Sequence, residues 1–209
     1  MCRKFIKSQR FKKVETGEGR MADEFSKLKK DIEATDAKRE ELIAQSRKIL
    51  LQSKKAIYAL QRGDANSAAA TVAEMKKAVS AINEFSHDAS YASAVKPAIQ
   101  EYVEAACFNE FIRTGKLLPK DGLGVSAENY IAGLCDVSGE IIRKAVNAAI
   151  NDDEKTVVNA KDYIEALYYG LLQFEFRNGE LRRKFDGLKY DLKKMEDLVL
   201  SLKLRGKAK

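Results

Sequence analysis

The chain has 209 residues, is 45% hydrophobic and 33% charged, and carries a formal net charge of +7 with two prolines and one histidine. That mixture describes a helix-rich globular chain long enough for one sizeable core or two small ones. No apolar run approaches the roughly 18 residues of a membrane span, and a lone His87 excludes zinc-ligand clusters and triads built on histidine at ordinary spacing.

The charge is uneven. Residues 1–20 hold seven basic and two acidic side chains, a net +5, which leaves +2 for the rest of the chain. The segment 1–20 is therefore read as a basic, disordered and solvated tail, and residues 21–209 as a single helical domain. The high isoelectric point belongs largely to that tail and is weak evidence for a nucleic-acid groove on the folded body. Three widely spaced cysteines, Cys2, Cys107 and Cys135, and the lack of a signal-like apolar segment point to a reducing cytoplasm. Chemistry on such a chain rests on carboxylates, lysine or both.

Apolar periodicity is helical almost everywhere. A first helix is expected from about Asp23 to Arg62, with Phe25, Leu28, Ile32, Leu42, Ile49, Ala56 and Leu60 as its stripe. Thr35, Arg39, Ser46 and Ser53 interrupt it, which argues against a simple coiled coil. Gly63 and Asp64 read as stop and start signals for an alanine-rich helix from Ala65 to Phe85. A turn at Ser86–Ser90 precedes a third helix reaching Thr114, with Pro97 in its first turn or at a kink. Residues 115–124 form the clearest loop. Ser126 with Asn129 opens a fourth helix to Ile150, Thr156 to Phe174 is a fifth, and Asn178-Gly179 breaks the pattern. The last helix carries Leu181, Phe185, Leu188, Leu192, Met195, Val199 and Leu202 at heptad spacing, which serves equally for packing within the subunit or between subunits.

Two acidic pairs stand out. Glu101 and Glu104 lie at i and i+3, and their helical line continues into Phe108 and Phe111. Carboxylates at that spacing are neighbours, with Cβ atoms about 5–6 Å apart. Asp136 and Glu140 lie at i and i+4, and Gly133 and Gly139 beside them leave room for another helix. Four carboxylates on two facing helices repel without a cation. Mg²⁺ or Mn²⁺ suits such hard oxygen ligands. By spacing alone each pair reads more readily as a solvated helix face, and so do Lys54 and Lys55.

At these residues the chain resembles the translin/Trax family. Ser46 to Ile57 is similar to the Trax first helix, with a serine-lysine step before an apolar turn. Gln100 to Phe108 is similar to the Trax segment that carries two metal-site glutamates. Tyr130, Gly133, Asp136, Gly139 and Glu140 meet a further family pattern, with Ile131 in place of a leucine and Asn129 in place of the aspartate that precedes the tyrosine. The departure at Asn129 keeps that position out of the expected site. Leu181 to Asp191, continuing to Arg205-Gly206, looks more like translin itself.

The resemblance implies an all-α, translin-like bundle of about six or seven helices and a homo-oligomeric, octamer-like shell. It implies a Mg²⁺- or Mn²⁺-dependent endoribonuclease acting on single-stranded RNA, with single-stranded DNA as a second ligand. Glu101, Glu104, Asp136 and Glu140 would hold the metal. Lys54 would meet the phosphate, with Lys55 as the alternative. Arg182 and Arg183 would contact nucleic acid. The rival expectation is a non-catalytic, translin-like assembly that only binds single strands. The basic tail, Arg182-Arg183-Lys184 and Lys203-Leu204-Arg205 would then supply the phosphate contacts.

Overall fold

The structure is a computed structural model that describes residues 7–207, with side chains described from 19 to 205. It contains six α-helices: α1 (Lys7–Gln61), α2 (Ala65–Ile82), α3 (Ala92–Thr114), α4 (Ala127–Ile150), α5 (Glu154–Leu171) and α6 (Glu180–Lys207). No strand occurs among the described residues. α1 includes residues 7–20 of the segment read as a tail; residues 1–6 and Cys2 with them lie outside the described residues.

The chain divides into two compact units, residues 1–42 and 43–209. In the first, the described side chains leave Met21, Phe25, Leu28 and Ile32 exposed, so the early part of the predicted stripe covers no core there. The second unit holds the core. Ile49, Ala56 and Leu60 from α1 are buried in it, as are Ile99, Tyr102, Val103 and Phe108 from α3 and Ile141 and Ala145 from α4. α3 packs on α2 and α4, while α4 and α5 both pack on α6. Being apolar on nearly all sides, α3 is a buried helix.

Local chemistry sets the ends. Side chains of Asp64, Ser126 and Asp153 accept hydrogen bonds from the backbone N–H three residues on, at 3.1, 3.2 and 3.1 Å, which satisfies N–H groups the helices cannot. Gly115 ends α3 at φ 69°, a left-handed conformation open to glycine at little cost. Pro97 sits inside α3, just past its first turn. α2 stops at Ile82 and gives way to a 3₁₀ turn, Asn83–His87. There the Asn83 amide donates to the Gly124 carbonyl at 2.9 Å, a long-range bond that no local pattern announces.

The middle of the α6 heptad stripe packs within the chain, while Leu181, Val199 and Leu202 stay half-exposed. Phe185, Leu188, Leu192 and Met195 are buried, on a helix that packs against α4 and α5. Ser138 of α4 donates to the Asp191 carboxylate at 2.6 Å and helps fix the register. Of the two α4 glycines expected to admit a neighbour, Gly133 does and Gly139 does not. A Cβ at Gly133 would fall 2.6 Å from Val103 and 2.8 Å from the Gln100 carbonyl, whereas Gly139 meets nothing within 4 Å.

Candidate functional site

The close crossing at Gly133 brings the acidic stretch of α3 against the acidic stretch of α4, and α1 runs past both. A pocket of about 290 Å³ opens where the three meet, lined by Lys54, Ile57 and Tyr58 of α1, Glu101 and Glu104 of α3, and Glu140 and Arg143 of α4. Glu101, Glu104 and Glu140 are all half-buried.

Their orientation depends on two polar residues of α1. Ser53, fully buried, donates its hydroxyl toward the Glu101 carboxylate at 3.0 Å and the Glu101 carbonyl at 3.1 Å. The Gln61 amide donates to the Glu140 carboxylate at 2.8 Å and the Glu140 carbonyl at 2.9 Å. Ser53 thus breaks the apolar stripe of the first helix because it holds a carboxylate rather than a core contact.

Glu104 shows the electrostatic character of the site. Burial, and then the charges of Glu101, Asp136 and Glu140, push its carboxyl from 4.5 up to about 8, with Lys184 opposing. Like charges and desolvation both disfavour the ionised form. Burial also pushes the Cys107 and Cys135 thiols up to about 12, so neither is a ready nucleophile. His87 is exposed.

Asp136 stands apart from its partners. It does not line the pocket; its carboxylate is ion-paired with Lys184 of α6. Lys184 also donates to the Gln100 side-chain oxygen at 3.1 Å and lies 3.8 Å from Glu180. Deleting one partner of a partly buried pair leaves the other charge uncompensated. Lys184→Met is therefore expected to lower stability by about 1–3 kcal/mol, read as a lower Tm in chelator-containing buffer. An unchanged Tm would show the pair to be energetically silent.

Lys54 reaches the pocket and Lys55 does not. Arg182 and Arg183 lie outside it as well, and Arg182 pairs with Asp186 at 3.0 Å. Ser53, Tyr58, Gln61, Arg143 and Lys184 join the constellation without having been expected there. Ser53 and Arg143 left a trace in sequence, the one as a polar break in a stripe and the other at i+3 from Glu140. Lys184 left none, because it arrives from 48 residues beyond Asp136.

The donor set suits a hard divalent ion: several carboxylates, no thiolate and no imidazole. The raised Glu104 carboxyl marks a negative field that a cation would relieve. The ligand geometry is not assembled in these side-chain orientations. Among the described residues no three Asp, Glu, His or Cys side chains stand close enough to hold one ion.

Fold and site together define an all-helical protein with a carboxylate pocket at a helix crossing. The chain belongs to the Translin family, whose signature matches residues 37–206. It is 30% identical to translin from Gallus gallus over 122 residues, 52% of this chain and 53% of that protein. The match thus spans about half the length of the curated translins. It is 27% identical to translin-associated protein X from Rattus norvegicus over 227 aligned positions, covering 87% of this chain and 78% of that one. Among solved structures it is similar to apo-NeC3PO, with a TM-score of 0.77, 29% identity, and 84% and 95% of the two chains covered. A structure of AfC3PO with duplex RNA also gives a TM-score of 0.77, at 24% identity over 87% and 97% of the chains, which speaks to the fold alone.

Proposed function

We propose that this protein is a metal-dependent endoribonuclease that cleaves single-stranded RNA. The observation that carries the reading is the meeting of Glu101, Glu104 and Glu140 in one pocket with Lys54 on its rim. Membership of the Translin family supports a nucleic acid as the polymer, and single-stranded RNA is our choice among nucleic acids. Glu101, Glu104, Asp136 and Glu140 would hold Mg²⁺ or Mn²⁺. A divalent ion there supplies an activated water and stabilises charge on a phosphodiester.

The chain's own groups divide the remaining work. Lys54 and Arg143 face the phosphate with positive charge, where charge develops in the transition state. Ser53 and Gln61 hold Glu101 and Glu140 in place. Glu101 or Glu104 accepts the proton from the attacking water. Asp136, whose carboxylate is ion-paired with Lys184, would join the other metal ligands on release from that lysine. The expected products carry a 5′-phosphate and a 3′-hydroxyl.

The exposed Met21, Phe25, Leu28 and Ile32 support assembly into a homo-oligomer, which we propose to be an octamer-like shell acting in the cytoplasm. Among the described residues no helix is long and apolar enough to cross a membrane. A solution mass equal to one chain would overturn the shell.

One observation favours the rival reading, a translin-like assembly that binds single strands without cutting them: the Asp136 carboxylate is engaged by Lys184. A labelled single-stranded RNA separates the two. The nuclease cuts it with Mg²⁺, stops in EDTA and is lost in Glu101→Gln, with single-stranded DNA competing for the same surface. The rival binds the strand equally in all three and cuts in none.

A further inference from the structure

Tyr58 is out of character with its surroundings. Its neighbours along α1, Ala56, Ile57, Ala59 and Leu60, are buried, yet Tyr58 is 53% exposed and forms part of the carboxylate pocket. It lies one turn from Lys54, and Arg62 follows after another turn on the same face. The Arg62 guanidinium sits 4.7 Å from the centroid of the Tyr58 ring. A planar cation on one face of an aromatic ring restrains the ring and keeps it presented. An exposed, restrained ring between two cations, opening onto a phosphate-directed pocket, is suited to a flat aromatic ligand group that hangs from a phosphate chain.

We infer that Tyr58 is a nucleobase-stacking platform that docks one base of a single strand beside the carboxylate pocket. The inference rests on the nuclease reading and adds a source of strand selectivity to it. Stacking is indifferent to base identity, because every base has a π-face. It is not indifferent to strandedness. Bases inside a duplex are already stacked on one another and offer no free face, whereas a single strand can splay one out. With Lys54 about 6 Å away along α1, a base on the ring sets its own phosphate at the pocket rim. Tyr58 is a binding and positioning residue and takes no part in proton transfer.

The test is binding of fluorescein-labelled RNA in EDTA, so that no strand is cut. The full-length protein, Tyr58→Phe and Tyr58→Ala are each titrated with an oligoribonucleotide and with its abasic counterpart. Tyr58→Ala is expected to weaken the intact strand about ten- to hundredfold, and Tyr58→Phe to stay within about threefold of the native chain. The abasic strand, lacking a base to stack, should bind weakly and show no response to Tyr58→Ala. Thermal melts confirm that the variants fold. Native affinity for the intact strand in Tyr58→Ala, or an equal loss for both strands, overturns the platform and leaves the nuclease reading standing. No binding of either strand by the native protein overturns the platform, and the cleavage assay with Mg²⁺ decides the nuclease reading separately.

Discussion

Replacing Glu104 with glutamine is expected to reduce RNA cleavage by about 10²–10⁴-fold while making the metal-free protein more stable at alkaline pH. The two effects share one cause. Glu104 sits half-buried amid Glu101, Asp136 and Glu140, and its carboxyl is raised from 4.5 to about 8. Between those values the unfolded chain has given up the proton and the folded chain still holds it. Stability therefore falls as pH rises from 4.5 through 8, and nothing is lost below 4.5, where both states are protonated. At about 1.4 kcal/mol per pH unit the penalty accumulates to several kcal/mol. Glutamine carries the same shape without the charge. Its Tm in EDTA should match the native protein at pH 5 and exceed it by a widening margin at pH 7 and pH 9. Parallel pH profiles for the two proteins would mean that the carboxylates do not share a field. Loss of cleavage without that divergence would leave the chemistry intact and remove the electrostatic account of it.

Such a residue is half legible in sequence. Glu101 and Glu104 announce themselves by spacing and by sharing a line with Phe108 and Phe111, and the family pattern gives them a role. Spacing cannot say that α4 lies opposite, since that depends on a crossing 30 residues away in sequence. The helices themselves were legible because apolar periodicity and capping chemistry are local. Ser126, Asp153 and Gly115 mark boundaries that hold to within a residue or two. The end of α2 was not legible, because the bond from Asn83 to Gly124 spans distant parts of the chain. Lys184 was hidden for the same reason. Read as one of three basic residues on a surface, it turns inward to Asp136 and Gln100. Tyr58 was hidden by its neighbours, since a tyrosine among buried alanine, isoleucine and leucine reads as core until its exposure is known.

A pair of alanine substitutions on α4 is expected to give opposite results. Gly133→Ala would place a Cβ 2.6 Å from the Cβ and Cγ1 of Val103 and 2.8 Å from the Gln100 carbonyl. Neither obstacle is the free end of a flexible chain. One is a branched side chain stiff at χ1, the other backbone of α3. Relief requires α3 and α4 to separate, and overpacking of this kind costs roughly 3 kcal/mol, or a Tm loss of about 6–12 °C for a chain of this size. Val103 stands between Glu101 and Glu104, and Gly133 lies one turn before Asp136, so the same separation pulls the two acidic stretches apart. A displacement of about 1 Å at reacting groups is worth roughly 10²-fold in rate. Cleavage should thus fall even at temperatures where the variant remains folded. Gly139→Ala meets nothing within 4 Å and lies in mid-helix, where alanine is favoured over glycine by about 0.5–1 kcal/mol. Its Tm should rise slightly and its cleavage should persist. Thermal melts and cleavage rates measured side by side decide the matter. Equal melting of the two variants would mean that α3 and α4 are not in close contact at Gly133. The pocket would then lose the crossing that brings its carboxylates together.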